Sequence, residues 1–202
     1  MARIAEETGR HTRVVQRALA TGDLPGHRRV GRVTTSDDLA VRAWGRSVAL
    51  GRRWTRETTD AALDILTEGS TERLRDDARS RLHSRLRQMD ARQIAHAAGG
   101  LAGWARYRGT SHGLEPVGPS VQAANLGLVA GDGWLSFVQV TSLDDFELDH
   151  EVALDPDGNL GVVERSVPDR RVARVLLDTY LLGDARQADA AARELEQRAR
   201  QW

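Results

Sequence analysis

Glycine divides the first fifty residues into short segments, which restricts this part of the chain to short elements. Gly9 ends a helix predicted over residues 2–8, and Gly22 ends a second helix predicted over residues 11–21. In the second helix Val15 and Leu19 lie one turn apart and predict a buried side. The opposite side carries polar residues, so we expect one buried face and one solvent face.

A hairpin and a third helix are predicted next. The run HRRVGRVTT has strand composition on both sides of Gly31, which we expect at the tip of a hairpin. Ser36 is predicted to cap the third helix, whose apolar face would hold Leu39, Ala43 and Trp44. Residues 1–50 therefore read as a winged helix-turn-helix domain, with the hairpin as the wing.

Residues 51–100 are predicted to be a helical segment. Thr55 is a candidate cap for a helix over about 56–67, and Ser70 for one over about 71–88. Asp90 is expected to cap a short helix that runs to about Ala98, before Gly99 and Gly100.

The composition of the chain and its predicted elements change after residue 100. Residues 103–118 are rich in turn formers, a helix is predicted over 120–128, and residues 134–141 have strand composition. Residues 151–165 are predicted to form a hairpin around DPDGN, and two helices follow over 170–182 and 185–200. We expect residues 101–202 to form an α+β partner-binding or dimerisation domain. The whole chain is predicted to be mainly α with a small β component: a winged helix-turn-helix, a helical middle, and a mixed α/β C-terminal half.

Charge is distributed unevenly along a chain whose net charge is zero. Every basic residue apart from histidine is Arg. Residues 1–60 hold 12 Arg against 7 acidic residues, whereas residues 109–202 hold 8 Arg against 16 acidic residues. A basic N-terminal part suits a polyanion such as DNA, and an acidic C-terminal part does not.

The polar side of the second helix is the candidate DNA-reading surface. Its exposed residues are predicted to be Thr12, Arg13, Gln16 and Arg17. A helix fits the major groove, where Arg binds guanine and Gln binds adenine through paired hydrogen bonds. His11, at the cap position, and the hairpin residues Arg28, Arg29 and Arg32 are predicted to contact phosphate or the minor groove.

Residues 4–44, with the turn TGDLP after the second helix, resemble the winged helix-turn-helix of the MerR and excisionase type. More broadly, the chain resembles actinobacterial regulators similar to AbiEi-type antitoxins, on the runs GRRWTRETTDAALDIL, SRLHSRLRQM and RVARVLLDTYLLGDARQADAAARELE. The resemblance implies a DNA-binding repressor of its own operon. It also implies a partner, a nucleotidyltransferase-type toxin that the rest of the chain neutralises.

The sequence favours a protein that is not an enzyme and needs no cofactor or metal. It has no Cys, no two of its six His are close in sequence, and no phosphate-binding or nucleophile motif is present. DPDGN lacks the glycine position and the terminal Glu of a calcium loop. A charged N-terminus and the lack of an apolar run of about 20 residues predict a cytoplasmic protein with no membrane partner.

The interpretation is a sequence-specific repressor that binds double-stranded DNA and a cognate toxin and that forms a homodimer. Two alternatives stay open at this stage. One is a protein-interaction module that does not bind DNA, and the other is a small-molecule-sensing transcription factor with a pocket in residues 119–166.

Overall fold

The fold is that of a computed structural model. The structure describes residues 2–24, 27–30, 33–49, 51–101, 103–109, 136–164, 169 and 171–202, with the backbone alone at 27–30, 33–35 and 136–137. Its helices are α1 (Ala2–Thr8), α2 (Thr12–Thr21), α3 (Asp38–Ser47), α4 (Arg56–Glu68), α5 (Asp76–Leu86), α6 (Ala91–Ala97), α7 (Leu143–Asp149), α8 (Val172–Leu182) and α9 (Ala185–Gln201). Its strands are β1 (His27–Val30), β2 (Val33–Ser36), β3 (Trp104–Gly109), β4 (Ser136–Val140), β5 (Val152–Leu154) and β6 (Leu160–Glu164).

The described residues group into two compact units that do not follow chain order. Residues 2–45, 101–109 and 136–164 form the first unit, and residues 46–100 and 169–202 form the second. The division expected from sequence, at residues 50 and 100, is consecutive. The contacts instead group the last two helices with the helical middle, and the strands of residues 101–164 with the N-terminal helices. The mainly helical α+β class is confirmed.

A four-stranded mixed sheet is the centre of the first unit. Its strand order is β4-β6-β3-β5, with β4 parallel to β6 and β3 antiparallel to both of its neighbours. Helix α7 covers one face, where buried Phe146 packs with Tyr107 of β3 and with Val138, Leu160 and Val162. Neither β3 nor α7 was expected from sequence, because β3 lies in a turn-rich stretch and α7 has seven residues, four of them acidic.

The hairpin predicted over 151–165 is wrong. Strands β5 and β6 do not pair with each other, because β3 lies between them and Tyr107 is in register with both Leu154 and Leu160. The chain crosses β3 between the two strands, and a side chain at Gly158 would overlap the Tyr107 carbonyl. DPDGN therefore serves a crossover that needs close backbone approach, and it does not reverse the chain.

Two side chains hold this crossover in place. Asn159 pairs with Gly109 as a strand residue would, since its Oδ1 accepts from the Gly109 amide at 3.1 Å and its Nδ2 donates to the carbonyl at 2.9 Å. The Arg106 Nε donates to the Gly158 carbonyl at 2.6 Å. These contacts replace the backbone hydrogen bonds that a hairpin would have formed, so polar groups near the end of β3 stay paired.

The second unit is helical, and its most buried element is α8. Nine of the residues of α8 are buried, among them Leu176, Leu177 and Leu181. Helix α9 packs against α8 through apolar residues spaced by three and four, which are Ala188, Ala191, Leu195 and Ala199. The predicted caps Thr55 and Asp90 are confirmed. Helix α5, in contrast, begins at Asp76 without a side-chain cap, so the predicted start at Ser70 is wrong.

An ion-pair network centred on Arg171 ties the start of α8 to α4. The guanidinium contacts Asp60, Asp64 and Asp169 at 2.7, 2.6 and 2.7 Å. Arg73 also contacts Asp64, at 2.7 Å. Burial raises the pKa of Asp64 and Asp169, but hydrogen bonds and charge from Arg171 outweigh burial, so both pKa values lie below the ordinary one.

We expect this network to make stability depend on pH. A carboxyl group whose pKa is lowered on folding stabilises the folded state above its unfolded pKa, about 4, and that contribution is lost as pH falls through the folded pKa. The substitution Arg171→Met should lower the free energy of unfolding by roughly 2–4 kcal/mol at neutral pH, since it removes the cation that three partly buried carboxylates share. Urea denaturation at neutral pH and at about pH 3 measures this.

The matched control is Arg73→Met, which removes a guanidinium that contacts the same Asp64 but is half exposed. Its cost should be below about 1 kcal/mol. The difference between wild type and Arg171→Met should shrink at low pH, and a difference that stays constant with pH would contradict the electrostatic account.

Candidate nucleic-acid interface

The turn between α1 and α2 is built by backbone hydrogen bonds at a left-handed glycine. Gly9 has φ of 63°, its amide donates to the Glu6 carbonyl at 3.2 Å, and the Arg10 amide donates to the Ala5 carbonyl at 2.9 Å. This pair of bonds is a Schellman motif, which ends a helix sharply. The turn that the sequence predicted at Gly9 is confirmed, and α2 starts only three residues later.

His11 is the N-cap of α2. Its Nδ1 accepts a hydrogen bond from the Arg13 amide at 3.2 Å. In the neutral imidazole a ring nitrogen that accepts leaves the other nitrogen protonated, so Nε2 carries the hydrogen. Because His11 is exposed, this N–H is free to donate to an anion beside the first turn of the helix.

Helix α2 buries one side and exposes the other. Val15 is fully buried and Ala18 is 5% exposed, whereas Leu19, expected on the buried side, is only half-buried. The buried side of α2 is therefore centred on Val15 and Ala18, which lie three residues apart. The four predicted reading residues are all exposed: Thr12, Arg13, Gln16 and Arg17.

The two arginines of α2 carry charge that the described part of the chain does not neutralise. Among the residues that the structure describes, neither Arg13 nor Arg17 has a side-chain hydrogen bond or an ion pair. On α1, by comparison, Arg3 contacts Glu7 at 3.4 Å and Asp38 at 3.1 Å. The exposed side of α2 is therefore a patch of unpaired positive charge.

A two-stranded hairpin follows α2, as predicted. Strands β1 and β2 pair antiparallel, with Arg28 opposite Thr35, Arg29 opposite Thr34, and Val30 opposite Val33. The predictions for Gly31 at the tip and for Arg32 lie outside the described residues. The order helix, turn, helix, hairpin, helix is the one predicted, and its assignment as a winged helix-turn-helix stays a prediction.

A buried carboxylate at the end of the hairpin attaches α3 to the sheet. Asp37 is 2% exposed. Its Oδ1 accepts from the Leu39 amide at 2.8 Å, and its Oδ2 accepts from the Trp104 Nε1 at 2.8 Å. Arg106 lies 3.7 Å away. The cap of α3 is thus Asp37, and the predicted cap Ser36 is wrong, because the Asp37 carboxylate bonds both the helix and β3.

Prediction from sequence gave the cap to Ser36 and did not identify Asp37 as an anchor. The available signal was local, an acidic residue before an apolar run. Its partner Trp104 lies 67 residues away, and no local pattern connects the two.

An acidic helix lies on the other face of the sheet. Helix α7 exposes Asp144, Asp145 and Asp149, and its Leu148 is 84% exposed. The Tyr107 hydroxyl donates to the Glu147 carboxylate at 2.6 Å, and burial, followed by this hydrogen bond, raises the pKa of Tyr107. Tyr107 therefore stays protonated and serves as a fixed donor that orients α7 on the sheet.

The described residues hold no group of three or more His, Cys, Asp or Glu side chains arranged to bind a metal ion. Among the helices described, none combines the length and apolar composition that crossing a bilayer requires. Comparison with family models, curated proteins and solved structures finds no match to this chain. The resemblance to MerR-type regulators and AbiEi-type antitoxins stays a prediction.

We expect Asp37→Ala to destabilise the first unit by roughly 2–4 kcal/mol. The change removes a helix cap and leaves the buried Trp104 N–H without an acceptor. Urea denaturation followed by tryptophan fluorescence measures the loss. The control is Asp38→Ala, whose carboxylate makes only an exposed pair with Arg3 and should cost less than about 1 kcal/mol. Equal effects of the two substitutions would refute the anchoring role of Asp37.

Proposed function

We propose that this protein is a sequence-specific DNA-binding transcriptional repressor that reads the major groove with α2. The observation that carries the proposal is the exposed side of α2, where two unpaired guanidinium groups and the Gln16 amide are presented together. These are the side chains that bind guanine and adenine edges through paired hydrogen bonds.

The surroundings of α2 support this role. The exposed polar residues start at its first turn, the end of a recognition helix that contacts bases. The Nε2–H of His11 and the arginines of the β1–β2 hairpin are donors for phosphate oxygens. A two-fold dimer, which palindromic operators require, is part of the proposal.

Arginine substitutions on α2 test the proposal. Arg13→Ala and Arg17→Ala should each weaken binding to the operator by about 1–3 kcal/mol, roughly 5-fold to 150-fold, and relax preference at the base contacted. The measurement is fluorescence anisotropy with a duplex from immediately upstream of the gene, and with a scrambled duplex of the same composition. Wild type is expected to prefer the upstream duplex.

The matched control is Arg200→Ala, which removes the same charge from α9, where Arg200 is paired with Glu196 at 3.0 Å. It should leave affinity close to that of wild type. Unchanged affinity in both α2 variants would exclude α2 as the reading helix. Absence of binding by wild type to either duplex, at low salt, would favour the protein-interaction module.

A second function, autoregulating antitoxin, is proposed on a different observation. Leu148 is 84% exposed on a helix whose neighbouring side chains are acidic. An exposed apolar side chain surrounded by charge of one sign suits a protein partner with complementary cationic residues. The partner proposed is the nucleotidyltransferase-type toxin that the resemblance to AbiEi-type antitoxins implies.

Leu148→Glu tests the antitoxin function. It should weaken binding to the protein encoded by the adjacent reading frame by about 10-fold or more. The reason is that burial of the Leu148 side chain against the partner, which contributes roughly 1.5–3 kcal/mol, is lost. Isothermal calorimetry measures the affinity. Gln201→Glu adds the same charge to an exposed position of α9 and should have no effect. No binding by wild type would exclude the antitoxin function and leave the DNA-binding proposal intact.

A further inference from the structure

A second set of exposed arginines lies in the helical unit, where one of them, Arg85, is placed over the ring of Trp54. We define the Trp54 surface by five residues, Arg52, Trp54, Arg56, Arg81 and Arg85. Trp54 is half-buried, and the guanidinium carbon of Arg85 lies over its indole at 5.8 Å from the ring centroid. Neither the α2 surface nor α7 contains these residues.

The segment that carries Trp54 is held firmly against α6. The Trp54 amide donates to the Ala97 carbonyl at 2.8 Å. The two ring nitrogens of His96 lie 3.1 Å from the Ser47 carbonyl and 3.0 Å from the Gly51 carbonyl. The backbone at residues 51–54 is therefore anchored before α4 begins, and the indole is a fixed platform.

The other three arginines are close in sequence to Trp54 or to Arg85. Arg52 and Arg56 lie two residues before and after Trp54. Arg81 precedes Arg85 by one turn of α5, so the two share a face of that helix. All four are exposed. Helix α4 starts at Arg56, so its partial positive charge adds to the same surface.

The charge of this surface is not neutralised within the described part of the chain. None of its four arginines has an ion pair there. Three acidic residues are near in sequence: Glu57 beside Arg56, Asp60 one turn after it, and Asp77 one turn before Arg81. Asp60 is paired with Arg171, and none of the three forms an ion pair with the four arginines. Arg79, on the same helix, is paired with Asp76 at 2.6 Å.

The chemistry of the surface fits a phosphate backbone. A guanidinium stacked on an indole keeps its N–H edges available for paired hydrogen bonds, and stacking reduces the freedom lost when it binds. Contacts of this kind position a nucleic acid without selecting its sequence.

We propose that the Trp54 surface is a contact of the second unit with the phosphates of duplex DNA. This inference rests on the proposed DNA-binding function. It assigns to the second unit a sequence-independent share of the affinity, and to the first unit the sequence-dependent share.

The double variant R81A/R85A tests the inference. Its affinity should fall equally for the upstream duplex and for the scrambled duplex. The slope of log affinity against log salt concentration should become shallower by about 2, since about 0.9 is lost per phosphate contact. Fluorescence anisotropy over a salt series measures both quantities. The variant R52A/R56A leaves α5 unchanged and should show the same loss of slope. Agreement between the two double variants excludes a folding defect in either one as the cause.

Two controls isolate the effect. R79A/R200A removes the same charge from arginines that are already paired, and should keep the wild-type slope. Trp54→Phe keeps an aromatic face under Arg85 and loses only an indole N–H that is buried without a hydrogen-bond partner. It should also keep the wild-type slope. Melting temperatures confirm that all variants are folded.

The outcomes separate the two proposals. If wild type prefers the upstream duplex and R81A/R85A and R52A/R56A keep the wild-type slope, the Trp54 inference is overturned and the reading role of α2 stands. If wild type binds neither duplex, the proposed function fails. A slope loss seen with a single-stranded RNA of equal length but not with duplex DNA would overturn the assignment of the partner.

Discussion

The first unit depends on one buried carboxylate. Asp37 ends the β1–β2 hairpin, caps α3 and bonds Trp104 of β3, so it joins the N-terminal helices to the sheet. A carboxylate excluded from water is tolerated only when its lone pairs are filled, and here two N–H donors and the nearby Arg106 fill them. Because Thr8 of α1 lies beside Gly45 of α3, this contact also links α1 to the sheet.

In the second unit, separate segments of the chain are joined by an arginine. Arg171 joins three carboxylates from two segments, and a planar guanidinium is suited to this because it donates along several directions at once. Paired arginines and unpaired arginines thus have different roles in this chain. Arg171 connects elements, whereas the arginines on α2 and around Trp54, which have no ion pair within the described residues, are the ones proposed to contact DNA.

Prediction from sequence succeeded where the signal was local. Gly9, the cap at Thr55, the cap at Asp90 and the polar side of α2 depend on residues within one or two turns, and each was read correctly. Prediction failed at DPDGN and at Ser36. In both places a plausible local signal was overridden by a distant partner, the backbone of β3 in the first case and the Trp104 indole in the second. Helix α7 was missed because its stability comes from Phe146 packed on the sheet, and its own acidic residues show little apolar periodicity.

The sequence alone determined the mainly helical class, the boundaries of most helices, and the polar residues of α2, because spacing and capping act over a few residues and need no tertiary contact. Only the tertiary structure decided that β3 separates β5 from β6, that strands β3 to β6 join the N-terminal helices in one unit, and that Asp37 is the anchor. Strand pairing and buried ion pairs join residues far apart in the chain, and the free energy that selects one partner over another comes from desolvation and packing in the folded state.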